Sequence, residues 1–288
     1  MSASAPSFID KLLAAEREHD SLLCVGLDPE PAKFPGAWQH DASRIFDFCA
    51  TIVDATRDLV LAFKPQIAYF AANRAEEQLE RLLAHIRKVA PAVPVILDAK
   101  RGDIGSTAEQ YAREAFERYQ ADAVTLSPFL GYDSIEPYMK YDGKGLILLC
   151  RTSNLGSADL QAQRLGSGAM LYEHIAQLAQ GEWNHNGQLG LVVGATAAVE
   201  IARVREIAPT LPLLIPGVGA QGGDGQAAVH AAWRASDGRT TGPIIVNSSR
   251  AVLYASRGNE FASAARQAAV DTRALLNAAR RTHSTNRI

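Results

Sequence analysis

Short, near-continuous apolar runs recur along the chain, each closed by Gly, Pro, Asp, Lys, Ser, Thr or Arg. They are SLLCVGLD (Ser21 to Asp28), LVLAFKP (Leu59 to Pro65), VPVILDAK (Val93 to Lys100) and AVTLSP (Ala123 to Pro128). Four more follow: GLILLCRTS (Gly145 to Ser153), LGLVVGAT (Leu189 to Thr196), LPLLIPGVG (Leu211 to Gly219) and PIIVNSSR (Pro243 to Arg250). Runs without polar alternation suit parallel strands buried on both faces. Between them the period becomes helical. After Asp41, a plausible N-cap, Ile45, Phe48, Cys49, Ile52 and Val53 form one apolar stripe, and Leu79, Leu82, Leu83 and Ile86 form another.

Eight such units predict an α/β chain folded as a single (β/α)8 TIM barrel, with a doubly wound open sheet as the alternative. No low-complexity linker divides the sequence, so residues 1–288 read as one domain. The expected barrel covers about residues 21–254, preceded by an extra N-terminal helix over about 7–18 and followed by an Ala-rich helix over about 259–281. The N-terminal stripe Phe8, Ile9, Leu12 and Leu13 suits a helix covering the barrel bottom. Two long connections, Asn154 to Gly168 and Gly222 to Gly242, are lid candidates.

Composition narrows the function classes. With 29 basic against 31 acidic residues and a net charge of −2, nothing suggests a nucleic-acid binder. No apolar stretch reaches the roughly 18–20 residues of a membrane span. Met1 to Pro6 lacks the basic-then-apolar order of a signal peptide. Cys24, Cys49 and Cys150 are widely spaced and form no CxxC, which predicts buried thiols in a reducing cytoplasm.

Polar residues gather where strands end, the catalytic face of such barrels. Asp28 closes the first strand, Lys64 lies in the second, and the third ends Asp98-Ala99-Lys100 before Arg101-Gly102-Asp103. Asp98 and Lys100, two apart on a strand, point to one side. A lysine held between Asp98 and Asp103 stays protonated, which suits a general acid and not a Schiff-base nucleophile. A structural ion pair is the plainer alternative, although Lys64 adds a further charge with no structural return. The turn Pro216 to Gly223, a helix starting near Asp224, and Arg250 suit an anion, the usual phosphate position of these barrels; tight turns and a solvated arginine are the alternative. The GVGAQG string (Gly217 to Gly222) matches a dinucleotide fingerprint, but it sits on the seventh strand and the eighth ends without a ribose-binding carboxylate. The seven His residues show no metal-binding spacing. Asp28, Asp98 and Asp103 would have to give up Lys64 and Lys100 to take Mg²⁺, so no metal is expected.

The string Leu97-Asp-Ala-Lys-Arg-Gly-Asp-Ile-Gly-Ser-Thr107 resembles the signature of the orotidine 5′-phosphate decarboxylases. The resemblance extends to Val25 to Asp28, Phe63 to Pro65, Pro216 to Gln221 and Ser249-Arg250, and the length and the Asn247-Ser-Ser-Arg250 ending are similar to the longer, bacterial type 2 branch. It implies cofactor-free decarboxylation of orotidine 5′-monophosphate to uridine 5′-monophosphate. Lys100 would be the proton donor to C6, with Asp98 beside the departing carboxylate and Lys64 holding Asp98 and contacting the ribose. Asp28 would bind ribose hydroxyls, Ser153 the pyrimidine edge, and Gln221 and Arg250 the phosphate, with Pro216 and Ser249 alongside. Asp103, Ile104 and Thr107 would act in the neighbouring subunit's site, which implies a homodimer. One departure is Ser249, where many relatives carry Gly. The alternatives are a Mg²⁺-dependent keto-sugar-phosphate decarboxylase or aldolase of the same suprafamily, a non-catalytic phosphate-ligand barrel and, more distantly, a nicotinamide-dependent oxidoreductase.

Overall fold

A computed structural model describes residues 6–196, 198–218, 223–233, 235–236, 239–240 and 242–285. Each apolar run becomes one parallel strand: β1 (Leu23–Leu27), β2 (Ala62–Pro65), β3 (Ile96–Arg101), β4 (Ala123–Leu126), β5 (Gly145–Arg151), β6 (Leu189–Val193), β7 (Leu213–Pro216) and β8 (Ile244–Ser248). Hydrogen-bonded neighbours run β2-β1-β8-β7-β6-β5-β4-β3, and bridges Phe63 to Val95 and Gln66 to Asp98 join β2 to β3. The circuit closes, so the fold is the (β/α)8 barrel and not the open doubly wound sheet.

The α-helices fall before, between and after the strands: α1 (Phe8–His19), α2 (Ile45–Thr56), α3 (Ile67–Ala71), α4 (Glu76–Val89), α5 (Gly105–Arg113), α6 (Glu136–Met139), α7 (Leu171–Gln180), α8 (Ala198–Ile207), α9 (Gly225–Ala232), α10 (Arg250–Leu253) and α11 (Phe261–Thr285). Of these, α1, α2 and α4 carry the expected stripes. Asp41 caps a short 3-10 turn ahead of α2, and Leu79, Leu82, Leu83 and Ile86 are the buried face of α4.

The barrel interior explains α1. One side chain from every strand joins a single apolar cluster inside the barrel: Cys24, Ala62, Ile96, Ala123, Ile147, Val192, Leu214 and Ile245. Phe8, Leu12 and Ala15 of α1 belong to the same cluster and close the bottom. Gly145 makes room, because a Cβ there would lie 2.2 Å from the Phe8 ring. A capping box between Ser7 and Asp10 starts α1, and Lys11 pairs with Asp122 at 2.6 Å. Arg273 and Asn277 of α11 donate to the carbonyls of His19 and Asp20, so the two terminal helices brace each other.

The second lid candidate is corrected. Within Gly222 to Gly242, the described part forms α9 and a two-residue hairpin, Ala235–Ser236 with Arg239–Thr240, and then returns along the bottom of the barrel. The signal missed was Arg205 of α8, buried to 1% exposure. Its guanidinium donates to the carbonyls of Ala208, Pro209, Leu211, Ala232, Gly242 and Pro243, which belong to the connections leading into β7 and β8. An arginine ringed by carbonyls satisfies backbone that turns inside the protein, where water is absent.

Phe8→Ala removes the bottom plug without touching the mouth. The expected loss is about 3–5 kcal/mol of unfolding free energy, read by urea denaturation; an unchanged midpoint would show that α1 is a loose appendage.

Candidate active site

The mouth at the C-terminal ends of the strands opens into a cavity of about 810 Å³. Asp28, Lys64, Asp98, Lys100, Ser153, Pro216, Ser249 and Arg250 line it, each anticipated from sequence. Leu149 and Val192 give it an apolar wall.

Asp98 is at its floor, 7% exposed. Its Oδ2 accepts from Lys64 Nζ at 2.6 Å, and its Oδ1 accepts from Lys100 Nζ at 2.6 Å and from the Thr125 hydroxyl at 2.9 Å. Burial pushes the carboxyl upward, but the Lys64 and Lys100 ammonium groups outweigh it and hold Asp98 below the usual carboxylate range. Burial likewise works against the charge on Lys64, and Asp98 and Asp28 overcome that and raise it above the ordinary lysine value. The array therefore runs Lys64, Asp98, Lys100, with the charge on Lys64 and the charge on Asp98 stabilising each other.

Strand alternation does not place Lys100, contrary to the simple spacing argument. Four steps along β3, Leu97 to Arg101, span only two along β4, Val124 to Leu126. The extra residues bulge, and Lys100 adopts a left-handed φ of +49°, a conformation costing about 1–3 kcal/mol outside glycine. Thr125 sits beneath the bulge, its hydroxyl accepting from the backbone N–H groups of Ala99 and Lys100 at 3.0 Å each. Arg101 then turns outward, paired with Glu114 at 2.8 Å and stacked over the Tyr111 ring.

The remaining lining divides between strand ends and one loop. Asp28 follows β1, its carbonyl tied to Tyr254 OH at 2.8 Å; Oδ1 is buried and, among the described residues, has no hydrogen-bond partner. Asn247 of β8 is 6% exposed and in the same state at Oδ1, while its Nδ2 donates to Ser249 Oγ. Gly26 opposite admits the serine, since a Cβ there would meet Ser249 Oγ at 1.9 Å. After β5, Thr152, Ser153, Asn154, Leu155 and Gln161 reach the cavity. Gln161 fixes this segment by accepting from Thr152 N at 2.8 Å and donating to Thr152 Oγ1 at 2.9 Å. A further cation, Arg250, stands exposed at the rim where α10 begins.

Three anticipated residues lie outside this chain's own cavity. Asp103 is half-buried and accepts from the N–H of Ile104, and Ile104 and Thr107 are exposed. Asp103 does not flank Lys100 within the chain. Gln221 lies outside the described residues. A helix does begin near Asp224, as expected: α9 starts at Gly225, and Asp224 caps it with its own carboxylate, which takes the N–H groups of Gln226 and Ala227. Sequence reasoning missed Thr125, Gln66, Tyr69, Asn154, Gln161 and Asn247. Thr125 and Asn247 were visible as polar residues inside apolar strand runs. Among the described residues, no group of three His, Cys, Asp or Glu side chains is placed to hold a metal ion, and no helix is long and apolar enough to cross a membrane. The three cysteines are buried thiols.

Known proteins resemble this chain along nearly its whole length. Residues 21–266 match the family described as Orotidine 5′-phosphate decarboxylase / HUMPS family. An orotidine 5′-phosphate decarboxylase of Methylibium petroleiphilum is 76% identical over 277 residues, covering 95% of this chain and 100% of the relative. One from Leptothrix cholodnii is 73% identical, covering 95% and 98%. Among solved structures, the OMP decarboxylase of Leishmania donovani superposes with a TM-score of 0.80 at 40% identity, covering 95% of this chain and 98% of that one.

The depressed Asp98 carboxyl has a consequence for stability. Its folded value lies below the unfolded value of about 3.9, so its contribution is complete above that pH and is lost as pH falls through the folded value. Urea denaturation between about pH 4 and pH 2 is expected to show a shallower loss of stability for Asp98→Asn than for the unaltered protein. Equal slopes would mean that Asp98 is not held ionised by its lysines.

Proposed function

The chain belongs to the orotidine 5′-phosphate decarboxylase / HUMPS family, and on that premise we propose that it converts orotidine 5′-monophosphate to uridine 5′-monophosphate, a step of pyrimidine biosynthesis. The observation that carries the reading is the Lys64–Asp98–Lys100 array at the floor of a nucleotide-sized cavity. The C6–carboxylate bond breaks, CO₂ departs, and the bonding pair stays on C6 as a carbanion outside the ring π-system. Lys100 then gives its proton to C6. Fixed charge placed where negative charge develops lowers that barrier, and in this reading neither metal nor organic cofactor takes part. Asp98 stands beside the departing carboxylate, and Lys64 holds Asp98 and reaches the ribose. Asp28 takes ribose hydroxyls and Ser153 the pyrimidine edge. Arg250 and Gln221 hold the phosphate, with Pro216 and Ser249 alongside. Binding energy from the phosphate helps draw the 154–168 loop over the base.

A homodimer with shared sites completes the reading. Ile104, Phe129 and Leu130 are 52%, 71% and 49% exposed on adjoining loops, an apolar face suited to a second copy that would receive Asp103, Ile104 and Thr107. A cytoplasmic location fits three unpaired thiols.

Two experiments test this. Purified protein is expected to convert orotidine 5′-monophosphate with EDTA present, and Lys100→Ala to lose turnover while still binding uridine 5′-monophosphate. Loss of activity on chelation would redirect the assignment to a metal-dependent sugar-phosphate reaction, and near-normal turnover by the variant would remove Lys100 from the chemistry. Separately, inactive Lys100→Ala and Asp103→Ala proteins, unfolded together and refolded, are expected to regain about a quarter of full activity, since half the dimers are mixed and each has one intact site. No recovery would place each site within a single chain.

A further inference from the structure

We infer that Thr125 is a positioning residue for the proton donor. The inference rests on the decarboxylase reading above and adds a residue which that reading does not use. Thr125 is 1% exposed in the middle of β4. A hydroxyl has one proton to donate and two lone pairs to accept with, and all three are used on one neighbouring strand. The proton goes to Asp98 Oδ1, and the lone pairs take the N–H groups of Ala99 and Lys100.

Those three bonds fix two things at once. They satisfy the backbone N–H groups that the β3 bulge removes from the strand ladder, and so hold Lys100 at its left-handed φ. They also fix the Asp98 oxygen that receives Lys100 Nζ. Backbone origin and side-chain anchor of the proton donor are thus set by a single oxygen. Without that oxygen, two buried N–H groups lose their partner and Asp98 loses one of three donors, which favours relaxation of the bulge. The groups that meet substrate at the rim, Ser153 and Arg250, belong to other elements, so binding is preserved.

The test compares Thr125→Val, which keeps the shape and removes the oxygen, with Thr125→Ser, which keeps the oxygen. Thr125→Val is expected to lower kcat about 100-fold, the scale of a misplacement near 1 Å, with KM for orotidine 5′-monophosphate within about 3-fold of the unaltered protein. Thr125→Ser is expected to recover kcat to within about 10-fold. Should the valine protein not fold, Thr125→Cys, with a thiol that is a weak acceptor, carries the same expectation. A folded Val or Cys variant with unaltered kcat overturns the inference. So does a serine variant as slow as the valine one at equal thermal stability, or a defect in KM alone. If the unaltered protein does not decarboxylate the nucleotide, the functional reading fails instead.

Discussion

A carboxylate inside a barrel, bonded at its two oxygens to two different ammonium groups, sets the terms for everything around it. Removing each ion from water costs several kcal/mol, and mutual attraction offsets this only when distances are short and the remaining lone pairs are filled. Asp98 meets both conditions, with two contacts of 2.6 Å and a hydroxyl at 2.9 Å. It draws on β2, β3 and β4 to do so. The closure of the barrel between β2 and β3 is therefore also the contact that brings Lys64 to Asp98.

Such an array needs a frame that does not yield. The apolar cluster inside the barrel is sealed by α1, with Phe8 lying where Gly145 leaves space. The turns beneath β7 and β8 are gathered by Arg205. Both devices act at the end of the barrel opposite the cavity. They fix strand positions, and the strands in turn fix where Asp98 and Lys64 stand.

The barrel was legible because its strands are buried on both faces and read as unbroken apolar runs. The mouth residues were legible because charge is conspicuous at the ends of such runs. Two kinds of information were not local. The meeting of Lys100 with Asp98 came from a bulge whose register depends on β4, so correct proximity followed from the wrong geometry. Arg205 resembled any helix arginine, because its partners are backbone carbonyls of two connections and carry no sequence mark. Spacing drew attention to Asp103 and family resemblance alone to Ile104 and Thr107, and within one chain all three stand apart from the cavity lining. The 222–242 segment was misassigned because length alone does not tell which end of a barrel a connection crosses.

The placement of the polar groups also separates two tasks. Lys64, Asp98 and Thr125 are strand residues with almost no exposure, and they keep the charged array in place whether or not a ligand is near. Ser153, Asn154, Leu155 and Gln161 belong to the segment after β5, where Leu155 is fully exposed. A group that must stabilise developing charge is most effective when it needs no reorganisation at the moment of reaction. A group that must admit and release a nucleotide needs freedom to move. With buried charges on strands and exposed lining residues on a loop, one cavity combines both kinds of group, and Lys100 stands at the junction, anchored by the strand residue Asp98 but with its side chain 44% exposed.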